Sequence, residues 1–210
     1  MIPNADDTKG RTRSPGGREE YLAAVTIGER KPLNSMIHLA PYDPRWPSEF
    51  ARLAEGIRHA LGEKALLLEH VGSTSVPGLS AKPVIDIVLA VADSADESSY
   101  VPPLEREGFV LRIREPDWFE HRLFRTAHAD GNLHVFCAGC EELARLLAFR
   151  DWLRTHEEER TRYEETKRAL AARTWKHVQD YADAKSAIVQ EILARALGSG
   201  KTRQDGGHEI

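Results

Sequence analysis

The sequence predicts an α/β fold, in which a mixed β-sheet with flanking helices packs against a C-terminal helical layer. Up to residue 138, short apolar runs that alternate like β-strands are separated by segments with the periodicity of α-helices. From residue 141 to residue 197 the apolar residues recur at helical spacing. Strands interleaved with helices and then followed by helices are typical of a sheet covered by a helical layer.

Composition divides the chain into one domain and two tails. Residues 1–35 are rich in Gly, Pro, Ser, Thr and charged residues, and they cannot bury enough apolar area to offset the cost of ordering. We therefore expect a flexible N-terminal tail there. Residues 36–197 carry the domain, with its sheet part at 36–138 and its helical part at 141–197, and residues 198–210 form a second polar tail.

The first elements lie before residue 62. Within the N-terminal segment, Tyr21–Ile27 is an apolar island that fits either a short strand or a short helix. Ile37–Tyr42 alternates as a strand does and ends before Pro44, because the residue before proline favours extended backbone. Trp46–Leu61 carries apolar residues at helical spacing, and Gly62 ends this helix.

The remaining strands follow in two groups. Ala65–Val71 and Pro83–Val91 are predicted to be two central strands. A short helix from Pro102 to Gly108 comes next, since proline is tolerated in the first turn of a helix. Three further runs are expected to pair in sequence order as a meander: Phe109–Arg114, Glu120–Thr126 and Asn132–Phe136.

The candidate site lies between the two predicted central strands. Two glycines and several hydroxyl residues occur there, and such a turn can expose backbone N–H groups to a phosphate. Lys82 could add a positive charge next to it. Asp86 interrupts the otherwise apolar strand that follows, so its carboxylate should lie at a rim, meet a cation or change its pKa. The turn consists of Gly72, Ser73, Thr74 and Ser75.

Further candidates come from the meander and the helical part. Arg125 and His134 alternate with apolar residues, and on the face of Asp86 they would form a cationic groove suited to a phosphorylated ligand. Alternatively, Arg125 and His134 lie on the solvent-exposed face of antiparallel strands at the edge of the sheet. Tyr181 and Lys185 are four residues apart, so both leave one helix face, and we expect them to face the sheet site. Alternatively, Tyr181 packs between helices and Lys185 extends to water.

The length and the net charge of the chain limit the classes of function that it can have. The chain has 210 residues, of which 41% are hydrophobic, enough for one substantial core. A formal net charge of −4 gives no support to a strongly basic surface, so we do not expect nucleic acid as a partner. No apolar run is long enough to span a bilayer and the N-terminus lacks a signal-peptide pattern, so we expect a cytoplasmic protein without membrane contact.

Several motifs together resemble the GrpB family, whose members are nucleotidyltransferase-like domains, some fused to a dephospho-coenzyme A kinase. The resemblance implies a nucleotidyltransferase-like mixed β-sheet with flanking helices, and it covers about residues 37–197. Two segments are the most specific: Glu69–Leu79, which reads Glu-His-Val-Gly-Ser-Thr-Ser-Val-Pro-Gly-Leu, and Lys82–Ile87, which reads Lys-Pro-Val-Ile-Asp-Ile. Further matches are Tyr42–Trp46, Leu133–Phe136, Phe149–Arg154 and the Tyr181/Lys185 pair.

The resemblance implies roles for the candidate residues. In that superfamily a Gly-Ser turn precedes a strand whose acid-x-acid pair holds Mg²⁺, so Asp86 is the expected metal ligand and Mg²⁺ the expected cofactor. The expected ligand is a nucleotide or another phosphorylated small molecule, with a link to coenzyme A metabolism. The catalytic candidates are Asp86, Lys82 and Lys185. The phosphate-binding candidates are Gly72, Ser73, Thr74, Ser75, Lys82 and Arg125, and the other site candidates are His70, His134, Arg150 and Tyr181.

One position separates two functional hypotheses. Where a two-metal transferase has its second acid, this chain has Val88, and Mg²⁺ needs several oxygen ligands in near-octahedral order. The first hypothesis is an enzyme that transfers a nucleotidyl or phosphoryl group with Mg²⁺. The second is a non-catalytic module that binds a nucleotide or phosphometabolite, which Val88 favours unless His134 completes the site. A purely structural interpretation makes Asp86 a strand-edge acid paired with Lys82 or an arginine.

Overall fold

Five strands form one mixed sheet in the computed structural model, which describes residues 15–29 and 34–201. The strands are β1 (Leu67–Val71), β2 (Ile85–Val91), β3 (Phe109–Glu115), β4 (His121–Thr126) and β5 (Gly131–Cys137). Their spatial order is β1-β2-β5-β4-β3. β2 and β5 run parallel, whereas β1/β2, β5/β4 and β4/β3 are antiparallel. The predicted mixed sheet and the predicted meander are therefore confirmed.

One strand is placed differently from the prediction. β1 was predicted to be central, but it lies at the edge of the sheet and pairs only with β2 among the five strands. β2 is an interior strand, because β1 pairs with one of its edges and β5 with the other. The burial of the two strands agrees with this order: every residue of β2 is buried, whereas the first three residues of β1 are half-buried. An edge strand tolerates such partial exposure.

Seven α-helices accompany the sheet in the described ranges. They are α1 (Pro15–Val25), α2 (Trp46–Leu61), α3 (Val101–Arg106), α4 (Glu141–Thr155), α5 (Glu157–Ala171), α6 (Val178–Ala184) and α7 (Ser186–Lys201). α2 has the bounds that its apolar spacing predicted. The helical part divides into four helices, and the first break is at His156, whose backbone is extended. None of the helices in these ranges has both the length and the apolar composition needed to cross a bilayer.

Alternate residues of β2 face two different cores. Ile85 and Ile87 pack with α2 and α3 on one side of the sheet. Val88 points the other way and packs with Leu143 of α4. Because side chains alternate along a strand, Asp86 shares the face of Val88 and points toward the helical layer. The fold thereby places the acid between the sheet and the helices.

The N-terminal segment differs from the expected flexible tail. α1 ends at Val25, which is buried, and Thr26 then forms an antiparallel bridge to Ile113 of β3. The backbone N–H of Ile27 donates to the carbonyl of Arg112 over 2.8 Å. These contacts cover the outer edge of β3, whose backbone groups would otherwise lack partners, which offsets the cost of ordering the segment. Residues 1–14 and 30–33 lie outside the described residues.

Two other expectations need adjustment. The predicted strand Ile37–Tyr42 is not a strand: Ala40 makes one isolated bridge to Ala81, and the neighbouring residues have no ladder partner. Ile37 is nevertheless buried, against Tyr181, so its apolar pattern reflects packing of an extended segment on the helical layer. At the other end, α7 continues to Lys201, past the start of the predicted C-terminal tail, while residues 202–210 lie outside the described residues.

Candidate functional site

A cavity of ≈ 60 Å³ lies where the β1–β2 connection meets the helical layer. The sheet side contributes the turn after β1 and the first residues of β2, and α4, α5 and α6 close the other side. Apolar side chains such as Leu146 and Phe149 form part of its wall. Its polar lining includes Ser73, Thr74, Lys82, Asp86, Lys167 and Lys185. The predicted turn, acid and helix lysine therefore share one cavity.

Gly72 fixes how the turn meets the acid. Its backbone has φ 71° and ψ −173°, and a 3₁₀ turn begins directly after it at Ser73. The first N–H groups of such a turn, at Ser73 and Thr74, have no acceptor within the turn. The Ser75 hydroxyl closes the turn by donating to the Gly72 carbonyl over 2.6 Å. Ser73 and Thr74 line the cavity, whereas the Ser75 side chain is used structurally.

Asp86 is buried at the start of β2, with 6% of its surface exposed. Its Oδ1 accepts a hydrogen bond of 2.8 Å from Asn132 Nδ2, and Asn132 is its partner on β5 in the strand register. In the described part of the chain, this contact takes the place of the predicted ion pair with Lys82 or an arginine. Asn132 was not singled out from the sequence, because only the register between β2 and β5 brings it beside the acid.

Three lysine side chains reach the cavity from different elements: Lys82 from the loop before β2, Lys167 from α5 and Lys185 from the end of α6. Burial lowers the pKa of Lys167 to about 7 and that of Lys185 to about 8, and it also lowers the pKa of Lys82. The charge of Asp86 counteracts the pKa shift at Lys82 and Lys185. Lys82 and Lys185 are thus close enough to Asp86 for its charge to influence their protonation, and Lys185 lies close enough to Lys167 to lower the pKa of Lys167 further.

Lys167 is a second site residue, besides Asn132, that was not singled out from the sequence. Its side chain is 1% exposed, and Nζ donates to the Ser80 carbonyl and to Ser73 Oγ, the latter over 3.4 Å. Nζ also forms an ion pair of 3.6 Å with Glu164. A signal was present in the sequence, since Tyr163 and Lys167 repeat the four-residue spacing of the Tyr181/Lys185 pair.

Tyr181 and Lys185 both line the cavity, on the same side as Lys167. Lys185 is 6% exposed, and its Nζ lies 4.7 Å from the centre of the Tyr181 ring. The alternative in which Lys185 extends into water is therefore not the arrangement in the structure. Tyr181 combines both interpretations, because it lines the cavity and also packs against Ile37 and Ala171.

Arg125 lies outside the cavity wall but in the same row of the sheet. Asp86 pairs with Asn132, and Asn132 pairs with Arg125 on β4, so the three side chains share one face. Burial lowers the pKa of Arg125, while Asp86 raises it. In the described residues Arg125 forms no ion pair within 4.0 Å, so it remains a cation beside the site.

His70 and Arg150 support the site from outside it. His70 points to the opposite face of the sheet, stacks on Phe50 at 4.8 Å and places Nε2 3.0 Å from Thr74 Oγ1. Burial lowers the pKa of His70 to about 4. Arg150 Nη1 donates to Glu69 and to the His70 carbonyl, which joins α4 to β1. His70 therefore contacts the turn through Thr74, Arg150 holds the end of β1, and neither residue lines the cavity.

The residues around Asp86 do not fit the expected Mg²⁺ site. Val88 occupies the position of the second acid and is fully buried in an apolar cluster. Asn132 presents its NH₂ group, a donor, to the Asp86 carboxylate. Among the residues that the structure describes, no group of three or more His, Cys, Asp or Glu side chains could hold a metal ion. Mg²⁺ requires several oxygen ligands, and Asp86 is the one carboxylate among the described residues that line the cavity, with His134 Nε2 4.0 Å from its Oδ1.

Comparison with known proteins assigns the chain to a family. A UPF0157 protein of Halalkalibacterium halodurans is 57% identical over 196 residues, covering 93% of this chain and 98% of the relative. A dephospho-CoA kinase of Mycolicibacterium paratuberculosis is 27% identical, over 82% of this chain but 49% of the kinase.

Solved structures give a consistent result. The crystal structure of the conserved protein GrpB from Enterococcus faecalis matches with a TM-score of 0.67 and 28% identity, over 78% of this chain and 99% of that one. A weaker similarity, to the Cid1 poly(U) polymerase, has a TM-score of 0.40 and 11% identity, over 71% of this chain and 47% of the polymerase. The family model described as GrpB protein matches residues 36–195, and the chain belongs to the GrpB family.

Proposed function

We propose that this chain binds a small phosphorylated metabolite or a nucleotide, with the phosphate held in the cavity by Lys82, Lys167, Lys185 and the N–H groups of the turn that follows Gly72. The observation that carries the proposal is the convergence of three lysine amines on a cavity with a single lining carboxylate, Asp86. A phosphate supplies the negative charge that this arrangement lacks, and lysine is a regular phosphate-binding residue.

The charge balance supports an anionic ligand. Glu164 pairs with Lys167, Asp86 acts on both Lys82 and Lys185, and Asp183 acts on Lys185 as well. Burial nevertheless outweighs these carboxylates and lowers the pKa of all three lysines. Holding a desolvated ammonium is costly, and the lowered pKa values are the consequence of that cost. Binding of a phosphate would favour the charged form of each lysine.

The proposal is binding without metal-dependent transfer. Nucleotidyl or phosphoryl transfer with Mg²⁺ requires a set of oxygen ligands that Asp86 and Val88 do not provide. The kinase relative makes coenzyme A and its precursors natural ligands to test. A cytoplasmic location, where such metabolites occur, belongs to the same proposal.

Calorimetric titration with a panel of phosphates tests the proposal. The panel contains inorganic phosphate, pyrophosphate, AMP, ATP, coenzyme A and dephospho-coenzyme A. We expect saturable binding of at least one, weakened about tenfold by Lys185→Met because a charge-assisted contact is lost. Lys64→Met is the matched control, since Lys64 is exposed and donates to the Ser99 carbonyl away from the cavity. A flat response to the whole panel from folded protein would overturn the proposal.

A further inference from the structure

The cationic lining of the cavity continues along the same face of the sheet as far as Arg125. In the strand register Asp86 of β2 pairs with Asn132 of β5, and Asn132 pairs with Arg125 of β4. Paired residues of neighbouring strands point to the same face, so Arg125 points to the face that carries Asp86. With strands about 4.8 Å apart, the Cα atoms of Arg125 and Asp86 are about 10 Å apart. A ligand that extends from the cavity can therefore reach Arg125.

The sheet face is open to solvent at this end of the row. Arg125 is half-buried, and its partner on β3 is Val110, whose exposed fraction is 46%. Asp86, at the other end of the row, is buried beside the cavity. The helical layer therefore covers the row at β2 and leaves room above Arg125 on β4.

The guanidinium of Arg125 has no partner among the residues that the structure describes. It makes neither a hydrogen bond nor an ion pair with them. Asp130, in the connection from β4 to β5, pairs instead with Arg52 over 3.4 Å. Burial lowers the pKa of Arg125, and the charge of Arg112 lowers it further. A half-buried cation close to a second cation is costly to hold, and a bound anion would offset that cost.

Lys82 connects Arg125 to the cavity. It is half-buried and lines the cavity, and in the described part of the chain its amine forms no ion pair either. Burial lowers the pKa of Lys82, Asp86 counteracts this shift, and Arg125 adds to it. Lys82 and Arg125 are thus near neighbours, and together they extend the positive charge of the cavity toward the open side of the sheet.

We propose that the phosphorylated ligand carries a second anionic group, which binds to the guanidinium of Arg125 next to Lys82. This inference rests on the proposed function, because the first phosphate occupies the cavity. A guanidinium presents a planar fork of N–H donors that matches the two oxygens of a carboxylate or a phosphate. The ligand class is a small phosphate ester in which a short chain separates the phosphate from a carboxylate or a second phosphate.

Four probes of similar length separate the second charge from the first: propyl phosphate, 3-hydroxypropyl phosphate, 2-carboxyethyl phosphate and 1,3-propanediol bisphosphate. They end in a methyl, a hydroxyl, a carboxylate and a phosphate group. By calorimetry we expect at least one of the two doubly anionic probes to bind about tenfold more tightly than propyl phosphate, because hydrogen bonds between charged groups are strong. The tighter of the two identifies the second group.

Equal affinities of all four probes would overturn this inference and leave the proposed function standing. An advantage that the hydroxyl probe shares would do the same, because it would show that polarity and not charge is recognised. Failure of all four probes to bind would overturn the inference together with the proposed phosphate site.

Arg125→Gln removes the charge and keeps a polar side chain. In this variant we expect the advantage of the doubly anionic probe to disappear, while the affinity for propyl phosphate changes by less than about twofold, since the phosphate contacts remain. Arg106→Gln is the matched control. Arg106 is exposed, donates to the Pro102 carbonyl, and lies on α3, which packs on the other face of the sheet. The control variant should keep the full advantage.

The stability of Arg125→Gln distinguishes a binding residue from a structural one. Its free energy of unfolding, measured with urea, should equal or exceed that of the wild type, because the substitution removes the repulsion from Arg112. An advantage that survives in Arg125→Gln would exclude Arg125 from the contact. Loss of stability or of the fold would show that the protein itself uses the guanidinium, which would also overturn the inference.

Discussion

Gly72 and Asp86 lie so close together that no side chain fits between them. A Cβ placed on Gly72 would stand 2.6 Å from Asp86 Oδ2. The φ of Gly72 is 71°, in the left-handed region that glycine adopts without strain. Glycine at position 72 is therefore what allows the turn and the buried acid to form one wall of the cavity.

Gly72→Ala is expected to destabilise the fold and to weaken phosphate binding. The added Cβ must displace either the Asp86 carboxylate or the turn, and an alanine at positive φ adds strain of about 1–3 kcal/mol. Urea unfolding measures the first effect, and calorimetric titration with a ligand of the wild type measures the second.

Gly78→Ala is the matched control for that prediction. Gly78 also has a positive φ, 80°, but a Cβ there would meet nothing within 4 Å. It carries the backbone strain without the collision, so we expect a smaller loss of stability and unchanged ligand affinity. Equal losses of stability and affinity in the two variants would show that the contact between Gly72 and Asp86 has no specific importance.

The buried lysines predict how stability depends on pH. Their folded-state pKa values, about 7 for Lys167 and about 8 for Lys185, lie below the unfolded value of about 10.4. Between these values the unfolded chain binds more protons than the folded chain, so the ligand-free protein should become more stable as pH rises from about 7 to about 10. Each lysine contributes at most about 1.4 kcal/mol per pH unit. The free energy of unfolding, measured with urea across this range, should rise less steeply with pH in Lys185→Met than in the wild type. An equal slope in the two proteins would contradict a lowered pKa of Lys185 in the folded state.

The same two amines predict proton uptake on binding. A phosphate stabilises the ammonium form, so at pH 8 the complex should hold more protons than the free protein. Calorimetry in buffers with different ionisation enthalpies measures this uptake directly. Phosphate affinity should fall above about pH 8 as Lys185 loses its proton. An affinity that stays constant up to pH 10 would exclude both lysines from the phosphate contact.

The elements and residues that were predicted correctly are recognised by patterns among residues close together in the chain. The period of Trp46–Leu61 gave the bounds of α2, and the meander followed from three strand-like runs with turns between them. Asp86 and the Gly72–Ser75 turn were visible because a charge and a glycine interrupt apolar segments. They meet at the cavity because β1 pairs with β2, which places Val71, directly before the turn, opposite Asp86.

The features that were missed depend on contacts between distant parts of the chain. Asn132 reaches Asp86 only through the register of β2 and β5, which a single sequence does not specify. Lys167 depends on which face of α5 packs on the turn. The edge position of β1 follows from β5 pairing with β2, and the N-terminal helix follows from its contacts with β3.

Asp86→Asn separates simple phosphate binding from metal-dependent transfer. The asparagine keeps the size of the side chain, and its Oδ1 can still accept from Asn132, so the fold should be retained. At pH 6, below the folded pKa of Lys167 and Lys185, both amines are charged, and removal of the negative charge should strengthen ethyl phosphate binding by about threefold to tenfold.

The opposite result is expected if Asp86 holds Mg²⁺ for transfer, because its loss would then remove a metal-dependent part of the affinity. Calorimetry of the wild type and Asp86→Asn, each with and without Mg²⁺, distinguishes the two. For the binding function we expect the gain in ethyl phosphate affinity to be the same with and without the metal. An affinity that requires both Mg²⁺ and Asp86 would restore the transferase hypothesis.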